Sequence, residues 1–204
     1  MNSLKRLAAL IIAAAMLIAA VPAALADDLS GHEFEAELRD ALDRGIISGY
    51  DDGTIRPDNQ IKKDEAAMLI LKNLSEDKSL FSGSGWYKNV MNTAVNWEIM
   101  DDAEYLSVTL NRMEAWLMLA KAAIICDEDT SVLDEYPDRE FISENDAGYL
   151  AALLSRGLIS GTKQGLGVYR KITRGQFISL FVKMLDGGYF DESKKELNYR
   201  GIKN

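Results

Sequence analysis

Apolar residues recur at helical spacing in six stretches of the chain. Phe34, Leu38, Ala41 and Leu42 share one face of a predicted helix over 33–44. Ala66, Ala67, Leu69, Ile70, Leu71 and Leu74 give a wider face over 63–74. Predicted helices follow at 87–98, 112–125, 143–156 and 174–185. Gly45 and Gly157 stand where a left-handed residue closes a helix. Between the paired helices lie short turns, Gly49-Tyr50-Asp51-Asp52-Gly53-Thr54 in the first pair and residues 162–169 in the third. Ile55-Arg56-Pro57 reads as a short extended piece, and with six predicted helices the expected class is all-α.

The helix pairs repeat. Arg44 to Leu74 returns at Arg156 to Leu185, and an altered copy lies at Trp97 to Ala123. In the altered copy Glu98 stands in the place of Gly45, and 14 positions separate Glu98 from Arg112 against 18 from Gly45 to Lys63. The expected units are 27–75, 81–126 and 134–186, with a charged tail at 187–204. Each second helix starts alike. Thr173-Arg174-Gly175-Gln176 and Asn111-Arg112-Met113-Glu114 have capping-box spacing, whereas Lys62-Lys63-Asp64-Glu65 lacks a side chain that can cap.

Lys63, Arg112 and Arg174 follow the cap in the three units. A cation there runs against the helix-dipole preference for acids. Two readings follow. With free backbone amides beside it, the cation makes a small anion site for a carboxylate or phosphate. Alternatively, each pairs with a neighbouring acid and braces the structure.

Composition narrows the partners. Residues 1–26 have a basic start, an apolar run and an Ala24-Leu25-Ala26 end, the pattern of a cleaved secretory signal rather than a membrane anchor. Losing Lys5 and Arg6 with it takes the formal charge of the 204-residue chain from −9 to −11. That disfavours nucleic acid and anionic lipid as partners. Cys126 is the lone cysteine, so packing alone must hold an exported fold; it is expected to pack as a small hydrophobe. His32 is the lone histidine and is assigned a packing or turn role. Asp51-Asp52-Gly53 lacks the distal glutamate of a calcium loop, since Lys62 stands there. Asp127-Glu128-Asp129 reads as a solvated linker. No catalytic constellation and no cofactor motif is present, so no enzyme is expected.

The residues carry a resemblance. Gly45-Ile46-Ile47-Ser48-Gly49-Tyr50-Asp51-Asp52-Gly53-Thr54-Ile55-Arg56-Pro57, Ile172-Thr173-Arg174 and Asn111-Arg112-Met113-Glu114-Ala115 resemble signatures of the S-layer homology domain, present here as three tandem copies. The resemblance implies a pseudo-trimer around a central helix bundle, in which grooves between copies bind secondary cell-wall polysaccharide, often pyruvylated. It points to Arg112 and Arg174 as contacts to the acidic sugar, with Lys63 at the first copy's equivalent place and Asp52 in the turn. Lysine loses the bidentate fork, so the groove served by Lys63 is expected to be the weakest. Trp86 stands at the family's aromatic position, where it stacks on a sugar or packs in the core. The implied location is the cell surface, with other envelope proteins as further candidate partners. The competing reading is a secreted scaffold or S-layer component with degenerate copies.

Overall fold

A computed structural model of the chain describes residues 27–194. Residues 1–26, read from the sequence as a secretory signal, and the tail beyond 194 lie outside the described residues. The six helices are α1 (Glu35–Asp43), α2 (Lys63–Leu74), α3 (Trp86–Asn96), α4 (Arg112–Ala123), α5 (Glu144–Ser155) and α6 (Arg174–Asp186). The three second helices begin at the predicted residues, α2 also ends where predicted, and the other boundaries shift by one or two positions. The connections expected to be irregular contain 3-10 turns, at Lys78–Phe81, Ser131–Leu133 and Pro137–Phe141. Among the described residues extended backbone occurs only as isolated bridges, so the fold is all-α.

Apolar spacing dictates how the helices pair. α2 packs on α3, α4 on α5 and α6 on α1. Each second helix therefore lies against the first helix of the next unit, and the last closes on the first. Buried faces of Ala66, Ala67, Ile70 and Leu71, of Ala115, Leu119 and Ala120, and of Phe177, Ile178 and Phe181 feed one continuous core. That core runs past the expected unit boundary at 187, because Phe190 is buried and meets Phe181 edge-on at 5.3 Å.

The residues just before the second helices also form a closed cycle. Gln60 bridges Thr173, Thr109 bridges Lys62, and Lys171 bridges Asn111. Each pairing joins the cap of one unit to the residue two before the cap of the next. Inside it, the Ile61 amide donates to Ile172 O (3.2 Å), Ile172 to Leu110 O (3.3 Å) and Leu110 to Ile61 O (2.9 Å). Their three side chains are buried together in the core. Three mutually satisfied amides let an apolar centre exist where extended backbone would otherwise bury unpaired donors.

Helix ends are closed by left-handed residues: Gly45 (φ 69°), Gly157 (φ 62°) and, in the middle unit, Glu98 (φ 59°). In each, the next residue's amide folds back onto the helix: Ile46 to Ala41 O, Leu158 to Leu153 O and Ile99 to Ala94 O. Glutamate adopts this conformation at a cost that glycine avoids. Glu98→Gly is expected to stabilise the fold by about 1 kcal/mol, seen as a higher urea midpoint at unchanged slope; a lower midpoint would show that contacts of the Glu98 side chain outweigh the strain.

Candidate functional site

The first two amides of each second helix are not free. Lys63 N donates to Val108 O (3.0 Å) and Asp64 N to Leu106 O (3.1 Å); Arg112 N donates to Arg170 O (2.8 Å) and Met113 N to Val168 O (3.1 Å); Arg174 N donates to Asn59 O (2.7 Å) and Gly175 N to Pro57 O (2.8 Å). The acceptor is always the turn of the next unit. The third amide is taken by the cap: Glu114 N by Asn111 Oδ1 (2.9 Å) and Gln176 N by Thr173 Oγ1 (3.2 Å). Lys62 has no acceptor to offer, and there Glu65 N turns to Asp64 Oδ1 (2.9 Å). The expectation of an anion site built from free amides is therefore corrected. Those donors are spent on holding neighbouring units together, and only side-chain cations remain.

The three cations then differ. Arg174 is 8% exposed and enters the first unit's loop, where Nε donates to Ile55 O (3.0 Å) and Nη2 to Ser48 O (3.3 Å). Its guanidinium lies 5.1 Å from the centre of the Tyr50 ring, over which Arg56 also sits at 4.0 Å. The cleft there encloses about 340 Å³ and is lined by Ile47, Ser48, Tyr50, Glu65, Lys72 and Arg174, among others. Tyr50 Oη donates to Glu65 Oε1 (2.8 Å), and burial together with that carboxylate pushes the phenol up. Arg112 lies over Trp116 at 4.6 Å and points into the third unit. Burial first, then Arg170, holds its pKa below the usual arginine range, with Asp138 opposing. Among the described residues neither Arg112 nor Arg174 has an ion pair with a carboxylate.

Lys63 follows the other reading. Its Nζ is 2.9 Å from Asp102 and donates to Glu104 O at 3.3 Å. Its cleft, about 180 Å³, has Asp101 and Asp102 where the first has Ser48 and Gly49, and Lys121 is held by Asp101 at 2.9 Å. Two acids thus neutralise the two lysines of the middle cleft.

The remaining candidates fall outside these clefts. Asp52 accepts from Thr54 Oγ1 (2.6 Å), Thr54 N (3.1 Å) and Arg56 Nη2 (2.7 Å), bonds that hold its carboxyl well below the usual carboxylate range. It braces the turn. Trp86 opens α3, is 39% exposed and meets Tyr87 edge-on at 5.9 Å, so its core reading fails. Cys126 is exposed rather than packed, a further correction: it lies beyond the left-handed Ile124 that ends α4. Asp127 is not simply solvated, because Arg156 Nη1 binds both its oxygens at 2.9 Å. His32 has the expected turn role, its Nδ1 accepting from Phe34 N (3.1 Å).

Sequence reading missed the residues that shape the loops. Asp28 accepts from the amides of Ile55 and Arg56, and Asp138 from those of Leu166, Gly167 and Val168. The two aspartates stand at matching places before the first helix of their units, a repeat signal that could have found them.

A family model for the S-layer homology domain matches residues 27–67 and 142–178. These two copies correspond to the first and third units. Domains of this kind are non-catalytic modules that anchor proteins at the cell surface or S-layer by binding secondary cell-wall polymers. No curated protein matches the chain.

Proposed function

We propose that residues 27–194 form one three-unit anchoring module that binds an anionic secondary cell-wall polysaccharide, bearing pyruvate ketals, through the clefts between units. The observation that carries this reading is the contrast among equivalent cations: Arg112 and Arg174 enter the next unit with no ion pair among the described residues, whereas Lys63 is neutralised by Asp102. A planar guanidinium held by backbone carbonyls or an aromatic face keeps N–H groups for a bidentate acid. The cyclic pairing of helices and caps supports a pseudo-three-fold arrangement that repeats the cleft. On this reading the clefts receiving Arg174 and Arg112 bind, and the middle cleft does not. The acids of that middle cleft also support a second reading, in which the degenerate unit faces an envelope protein.

The test is retention on purified wall polymer, with and without chemical removal of pyruvate. Arg112→Ala with Arg174→Ala is expected to weaken binding by about thirtyfold or more, the loss of charge-assisted bonds worth ~2 kcal/mol. Lys63→Ala is expected to change it by less than about twofold, because surface pairs contribute little. Arg174→Lys, which keeps the charge, controls for folding. Equal retention by the wild type and the double variant would sink the proposed site.

A further inference from the structure

On the outer side of the third unit's turn, Phe141 and Tyr169 are 49% and 59% exposed, with ring centres 5.5 Å apart and planes tilted by 58°. Together with Asp138, Gly167, Val168 and Arg170 they wall an open hollow of about 310 Å³. Two large aromatic rings left side by side in water mark a contact surface. Their neighbours are cationic. A side chain at Gly167 would meet Arg170 Cδ at 2.9 Å and Arg112 Nη1 at 3.2 Å, so both arginines converge beside the hollow. Neither has an ion pair among the described residues. Asp138, in the wall of the hollow, spends its two oxygens on three backbone amides. The combination belongs to the third unit alone. Tyr169 and Arg170 stand four and three residues before the cap Thr173, where the first unit has Asp58 and Asn59 and the second Ser107 and Val108.

We propose that Phe141, Tyr169 and Arg170 form a subsite for a carboxylate-bearing sugar ring, adjoining Arg112. This rests on the polysaccharide reading above and extends it by one residue of the same glycan. A pyranose lays its C–H face on an aromatic ring while its hydroxyls stay in water, and its carboxylate relieves the repulsion between two guanidinium groups. A protein partner fits less well, because two rings and one small hollow cover far less than the ~800 Å² per partner of a stable interface.

The experiment measures the affinity of the full chain for purified acidic wall glycan, native and carboxyl-reduced. The variants are Phe141→Ala/Tyr169→Ala and Arg170→Ala. Both replace exposed side chains, and circular dichroism melts serve to check that they fold. Each is expected to bind native glycan about tenfold more weakly than wild type. The Arg170→Ala deficit should vanish on carboxyl-reduced glycan while the aromatic deficit remains. Wild-type affinity in the aromatic variant would overturn the subsite and leave the polysaccharide reading standing. A wild-type chain that does not bind glycan would overturn both. A protein captured through Phe141 and Tyr169 without glycan binding would reassign the surface to protein docking.

Discussion

Replacing Asp138 with alanine is expected to destabilise the fold by about 3 kcal/mol, because three backbone donors lose a charged acceptor and the turn that holds them loses its anchor. The carboxylate receives Leu166 N at 2.8 Å, Gly167 N at 2.7 Å and Val168 N at 3.2 Å. Gly165 leaves room for it: a Cβ there would come within 2.5 Å of Oδ1. Asp138→Asn keeps one acceptor oxygen and should lose about half as much. Burial pushes the carboxyl up, yet the bonds from Leu166, Val168 and Gly167 outweigh it, and the net shift is downward. A carboxyl that titrates below its ordinary value when folded contributes stability above its unfolded pKa, and that stability is lost as the pH falls through the folded value. Urea midpoints of wild type and Asp138→Asn should therefore differ at pH 7 and draw together below about pH 4. A gap that stays constant down to pH 2 would show that the charge is not what matters.

Ile61→Ala should cost about 3 kcal/mol, within the usual range for removing a fully buried branched side chain. Ile61 is 0% exposed, and its amide and carbonyl link the third and second units. The loss falls where residues of all three units meet, so the expected melt is a single transition at a lower temperature. Two resolved transitions would mean that the units unfold independently and that the central cycle does not couple them.

The sequence was most legible where the determinants are local. Arg112 and Arg174 could be placed at the helix starts because a cap, its partner three residues on, and an apolar face all lie within one turn or two, and Lys63 by its apolar face and its alignment with them. The closing role of Gly45 and Gly157 followed from the same local logic, and even the place of Glu98 was marked by alignment of the units. Interactions between units were not legible. Nothing near Arg174 in the chain says that its amide meets Asn59 or that its side chain meets Ile55 and Ser48. For that reason the helix starts looked like open anion sites when their amides were already occupied. Lys63 and Arg174 look similar in sequence, and only the residues across the cleft, Asp102 in one case and carbonyl groups in the other, separate them. Cys126 was misjudged because an apolar helix ends three residues before it, and the left-handed Ile124 takes the chain out of the helix and its buried face.

The closure of α6 on α1 fixes when this protein can become itself. Synthesis from the amino end delivers the first unit with Pro57 and Asn59 still waiting for Arg174 and Gly175, and with α1 bare along the side that α6 will cover. The earliest unit made is thus the last to be completed. A chain stopped before α6 would carry two orphaned surfaces, one on α1 and one along the turn at 57–59, and the α6 of another molecule could fill both. Premature release would then yield exchange between molecules rather than a shorter monomer.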